Sequence, residues 1–248
     1  MKNESGKIIT VTGSNGGCGK SITTFVLACI YSSLGKKVLM IDLDLYNGSL
    51  SLITNTTSKQ NIYNYVDDLK NNRFTSVDDY TTKVNENIYL LASVKDPRQA
   101  SKIEYRYLET ILKATTFSYD IVLVDTTYLL NDINVITLDI TDTILYVINN
   151  DTLSLKGAKT FFTIMKDISK TNIKVLLNNA ISPDKRYYSN YDIKTIINHN
   201  IDYIIDKSNY VKNIDKFIMD KTLINNKILF RDYNRLKTIA LDLESRES

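Results

Sequence analysis

"GSNGGCGKS", residues 13–21, lies between a short apolar run, "KIITVT" (7–12), and a longer segment of helical period, "KSITTFVLACIYSSLG" (20–35). A strand, a glycine-rich turn and a helix in that order gather free backbone N–H groups and the positive end of a helix around one point. That is the arrangement a polyphosphate requires. Gly13, Gly16, Gly17 and Gly19 supply the backbone freedom of such a turn. Lys20 is placed to reach the β and γ phosphates and the Ser21 hydroxyl to ligate Mg2+, as in the general phosphate-loop pattern. The strict pattern has glycine at position 14, where this chain has Ser14. The plain alternative is a glycine-rich turn without function.

Outward from this stretch, short apolar runs alternate with helical patterns. "KVLMIDLD" (37–44) is a second strand and completes a βαβ unit. Further strands are expected at 87–92, 119–125, 142–149, 173–179 and, more weakly, 201–206. Helices are expected at 101–116, 131–139, 152–170, 190–198 and 227–243. Continuous β-branched and leucine runs are the mark of strands buried on both faces of a parallel sheet. The expected architecture is therefore α/β: a single doubly wound, mostly parallel sheet with helices on both faces, residues 1–248 forming one domain. The polar stretch 51–86, which includes "NIYNYVDDLK", reads as an excursion on the sheet's surface.

Two acidic sites at strand ends complete the candidate site, because a phosphate-bound Mg2+ needs carboxylate oxygens nearby. "YDIVLVD" ends at Asp125, at the carboxyl edge where ligands of such sheets bind. "MIDLDLYNGSL" ends the second strand with Asp42 and Asp44; solvated loop acids are the bland reading of that pair.

Composition sets limits. With 31 basic and 28 acidic residues the net charge is +3, which gives nucleic acid or an anionic membrane no special support as partner. Cys18 and Cys29 have neither metal-ligand nor disulfide-framework spacing and fit a reducing compartment. The N-terminal segment lacks the apolar core of a signal peptide, no apolar run approaches about 18 residues, and the expected location is cytoplasmic. His199 and the tyrosines of "RYYSNY" (186–191) read as capping and surface cover rather than chemistry.

Taken together, "GGCGKS", "IDLDLYNGSLSLI", "YDIVLVDTT", "LYVINNDTLSLKGAKTF" and "KVLLNNA" resemble the ParA/MinD superfamily of deviant-Walker-A ATPases over residues 7–245. Within it, "DLDLYNGSLSLI" and "LSLKGAK" look most like the CpaE/TadZ branch, which positions Tad pilus machinery. The resemblance implies ATP and Mg2+ as cofactors, with Gly16, Gly17, Cys18, Gly19, Lys20, Ser21 and Ile22 on the nucleotide. It implies that Lys20 and Asp44 serve catalysis, Asp44 orienting the attacking water. Ser21, Asp42 and Asp125 form the Mg2+ side, and Asn178, with Asn179 as the neighbour in register, contacts adenine.

The resemblance also implies a homodimer and a protein partner from a pilus, secretion or partition system, with placement at a cell pole through that partner. The terminal segment "DLESRES" is mixed in charge and does not read as the basic amphipathic membrane helix of MinD relatives. Two departures matter. The family's signature lysine, which reaches the partner's phosphates across the dimer, aligns with Asn15, and the proline expected soon after Asp125 is replaced by Thr126, Thr127 and Tyr128. The expected activity is an ATP-binding switch with slow hydrolysis. A partition ATPase riding on DNA and a scaffold that has lost turnover are the alternatives.

Overall fold

The structure, a computed structural model, describes residues 5–179, 187–206 and 233–245. Its strands are β1 (Lys7–Gly13), β2 (Val38–Asp42), β3 (Thr82–Lys83), β4 (Ile88–Leu91), β5 (Ile121–Asp125), β6 (Thr143–Ile148), β7 (Ile173–Asn179) and β8 (Tyr203–Asp206). The helices are α1 (Lys20–Ser33), α2 (Leu50–Ile53), α3 (Ile62–Lys70), α4 (Arg106–Thr115), α5 (Asp132–Ile140), α6 (Thr152–Asp167), α7 (Asn190–Ile197) and α8 (Tyr233–Glu244). The first part of the last expected helix, 227–232, lies outside the described residues.

The strands form one sheet in the order β3-β4-β2-β5-β1-β6-β7-β8. Every pairing is parallel except the antiparallel edge pair β3–β4. Complete burial of "VLMID" (38–42) and "IVLVD" (121–125) fits their central positions, with helices covering both faces. Alternate residues divide the core. Val38, Met40 and Leu123 pack with α1 and α8 on one face. On the other, Leu39, Ile41, Val122 and Val124 pack with α3 and α4, and Tyr146 and Val175 with α6 and α7. α8 is fastened to α1 by the buried Tyr31 hydroxyl, which donates to the Ala240 carbonyl at 2.6 Å.

The stretch 51–86 lies against the sheet, contributes Ile62, Tyr65, Val66, Val77 and Tyr80 to the core beneath it, and includes the short strand β3. Three consecutive features place the functional residues: β1, β2 and β5 lie side by side, run the same way, and end together.

Candidate nucleotide site

The loop from Ser14 to Gly19 joins β1 to α1. Gly19 caps the helix with φ 103°, and a Cβ on it would fall 2.4 Å from the Asn178 amide nitrogen, so only glycine fits there. That same amide donates to the Cys18 carbonyl at 2.9 Å, holding the loop from the end of β7. The backbone N–H groups of Gly16 through Ile22 donate to no acceptor among the described residues. Consecutive unpartnered amides at a helix N-terminus form a concave anion-binding surface.

Lys20 is buried, and its ammonium donates to the Asn15 carbonyl at 2.9 Å. Asn15 is turned inward: its Oδ1 accepts the Ser14 hydroxyl at 2.9 Å. The Ser14 and Ser154 hydroxyl oxygens lie 2.5 Å apart, which ties the loop to the first turn of α6. Ser154, in a segment that supported the resemblance without being given a role, is thus a second support of the loop, and Gly157 in the same segment lets α6 approach the Ser14 carbonyl, where a Cβ would fall 2.6 Å away.

Asp42 and Asp125 are register partners on β2 and β5, and each is 1 % exposed. Asp42 accepts the N–H groups of Asp44 at 3.2 Å and Leu50 at 3.0 Å. Burial pushes its carboxyl up to about 7, and the nearby Asp44 charge adds to the shift, against the pull of the Leu50 N–H. Neither carboxylate oxygen of Asp125 has a hydrogen-bond partner. Burial holds this carboxyl well above the usual range and the Asp42 charge adds to it, while Ser21 and Lys20 pull the other way without offsetting it. Two adjacent buried carboxylates, the oxygens of Asp125 unsatisfied and those of Asp42 held by two backbone N–H groups, fit a divalent cation that takes its other ligands from phosphate and water. No cluster of three or more His, Cys, Asp or Glu able to hold a metal is present among the described residues.

A cleft of about 530 Å³ opens beside the loop and next to the chain neighbours of this pair, Asp44 and Thr127. Gly16, Gly17, Gly19, Lys20, Ser21 and Ile22 form one wall, Asp44 and Tyr46 a second, and Thr127 to Leu129 a third. Of the residues the sequence singled out, Cys18, Asp42 and Asp125 are buried and do not line the cleft, and Asn178 reaches the loop without lining the cleft. Asp44 is half-buried, with Oδ1 accepting the Asn47 N–H at 3.0 Å. His199 stays outside the site, its ring stacked on Phe162 with centroids 4.5 Å apart. Tyr187 and Tyr191 are exposed, and both cysteines are free and buried. No helix among the described residues is long and apolar enough to cross a membrane.

The segment after Asp125 takes the place of the expected proline turn with hydrogen bonds. The Thr126 hydroxyl donates to the Val11 carbonyl, the Thr12 hydroxyl to the Thr127 carbonyl, and the Asn134 amide to Thr127 and Leu129. Asn134 carried no signal in the sequence: it is one amide in a helix.

A family model described as an AAA domain matches residues 6–183. The septum site-determining protein MinD of Helicobacter pylori is 28% identical over 118 residues, 48% of this chain and 43% of that protein, so the match spans less than half of the relative's length. Among solved structures, a ParA family ATPase from Chlorobium tepidum superposes with TM-score 0.83 at 18% identity, covering 96% of this chain and 98% of that one. Pyrococcus horikoshii MinD, complexed with Mg-ADP, superposes with TM-score 0.79 at 18% identity, covering 96% of each chain. With the family model spanning most of the sequence, the chain belongs to the AAA-domain family, and its fold is similar to those of ParA and MinD ATPases.

Proposed function

We propose that the chain binds ATP with Mg2+ and works as a slowly hydrolysing switch. The observation that carries this reading is the run of unpartnered amides from Gly16 to Ile22 beside the unpartnered, buried Asp125 carboxylate. The amides cradle phosphate oxygens, and Lys20 exchanges its Asn15 carbonyl for a phosphate oxygen. Ser21, Asp42 and Asp125 hold Mg2+, directly or through water. Bound Mg2+ neutralises charge on the phosphate oxygens. Asp44, on the second wall of the cleft, orients the attacking water. Asn15 brings no positive charge to the transferring phosphoryl group, and such charge supplies much of the catalysis in this chemistry, so turnover is slow.

Within the superfamily we place the chain with the CpaE/TadZ branch, on the strength of "DLDLYNGSLSLI" and "LSLKGAK". In this reading ATP brings two copies together and the pair positions a pilus or secretion apparatus through a protein partner. Exposed Tyr46, Tyr128 and Leu129 beside the cleft supply apolar surface for such a contact. A second reading, a scaffold without turnover, is favoured by the inward-turned Asn15 side chain.

Calorimetric titration of ATP with Mg2+ tests the core of the proposal. Binding by the unaltered chain and its loss in Lys20→Ala are expected; equal affinity for both chains refutes it. Sedimentation with and without ATP tests the dimer, and phosphate release measured beside binding separates switch from scaffold.

A further inference from the structure

The side chain of Asn134, 2 % exposed in the first turn of α5, fixes the direction of a hydroxyl proton in the cleft. Its Nδ2 donates to the Leu129 carbonyl at 2.5 Å and to the Thr127 Oγ1 at 2.7 Å, with the Thr127 carbonyl more distant at 3.4 Å. Carbonyls only accept, so the nitrogen must be the end of the amide that faces them. The cost of that orientation is visible in Oδ1, which is buried without a partner. Thr127 Oγ1 therefore accepts from Asn134, and it accepts again from the Leu129 N–H at 3.2 Å.

A hydroxyl has two lone pairs and one proton. Both lone pairs of Thr127 are occupied, and its proton has no acceptor among the described residues. Thr127 is half-buried and lines the same cleft as Lys20, Ser21 and Asp44. Its backbone is fixed as well, the carbonyl accepting the Thr12 hydroxyl at 3.0 Å. The result is an oriented donor in the same cleft as the glycine-rich loop. An oriented donor costs little to bring to a developing or resident negative charge.

We propose that Thr127, aimed by Asn134, is the donor to the terminal phosphoryl oxygen of a nucleoside triphosphate, through which the site favours triphosphate over diphosphate. The assignment rests on the nucleotide reading above. Phosphates nearest the helix are taken by Gly16 to Ser21; the walls that carry Asp44 and Thr127 are left for a third. Asn134 is a positioning residue, and a proline in place of Thr127 could not serve, having no hydroxyl.

The test is titration calorimetry of ATP and of ADP, each with Mg2+, on the full chain. Thr127→Val keeps the shape and removes the donor; ATP affinity is expected to fall about ten- to hundredfold, the usual worth of a hydrogen bond to a charged group, with ADP affinity unchanged. Thr127→Ser restores the preference. Asn134→Asp sets an acceptor against the hydroxyl and takes its proton, so it lowers the ATP-to-ADP preference although Thr127 is intact. Thermal melting identifies any Asn134 variant that fails to fold, and the two Thr127 variants then decide alone. An equal fall for both nucleotides in Thr127→Val, or none, overturns the assignment while leaving the nucleotide reading in place. No ATP binding by the unaltered chain overturns both.

Discussion

Asp42 gives the protein an unusual dependence of stability on pH. Its carboxyl stands at about 7 in the folded chain against an ordinary 3.8, with burial as the main cause. An acid whose proton is held more tightly in the folded state contributes stability below its unfolded value, and that stability is lost as pH rises toward the folded value. Each pH unit in this window costs about 1.4 kcal/mol. From pH 5 to 7 the free chain should thus lose about 2 kcal/mol through Asp42, the slope halving as pH reaches the folded value, and Asp125 is displaced in the same direction. The assay is urea unfolding at half-unit steps from pH 5 to 8, in chelator, for the unaltered chain and Asp42→Asn. The amide cannot ionise, so the variant's curve should be the flatter by most of that amount, and the variant should be the more stable of the two near pH 7.5. Adding Mg2+ with ATP should restore much of the lost stability to the unaltered chain and little to the variant. An identical pH slope in both chains would show that the carboxylate pair is not strained by burial as argued.

Two further substitutions probe the loop. A Cβ at position 157 would lie 2.6 Å from the Ser14 carbonyl oxygen, so Gly157→Ala should cost about 1–3 kcal/mol in denaturant unfolding and weaken ATP binding as the loop shifts; unchanged stability and affinity would mean that α6 does not clamp the loop. Asn15→Lys returns the family's charge to the cleft and should raise phosphate release. If neither dimerisation nor release changes, that position does not control turnover.

Residues whose burial follows a period could be read from the sequence, and residues whose role depends on meeting a distant partner could not. β2, β5 and β6 are unbroken apolar runs because the sheet is covered on both faces, and their runs gave their positions. β3 escaped notice because it is two residues long and exists only through its antiparallel pairing with Leu90 and Tyr89. The stretch 51–86 looked polar by count, yet Tyr65 and Tyr80 stack with centroids 4.5 Å apart inside the core, an association over fifteen positions that no local pattern encodes. Asp42 and Asp125 were each singled out as strand-end acids, but their adjacency follows from β2 and β5 being neighbours, a fact of topology.

That adjacency explains how occupancy of the site can reach the surface. The oxygens of Asp42 hold the N–H groups of Asp44 and Leu50, and so set the path of the loop that carries Tyr46. A cation drawing on those oxygens competes directly with the two amides, whereas the Asp125 carboxylate holds no backbone N–H and accepts a cation without displacing one. The third wall is anchored differently, through neutral hydrogen bonds from Thr12 and Asn134, and is insensitive to charge at the acids. Binding should therefore move the loop from 44 to 49 more than the segment from 127 to 129. Of the exposed aromatic residues beside the cleft, Tyr46 is the one whose position depends on the ligand, and Tyr128 the one that holds still.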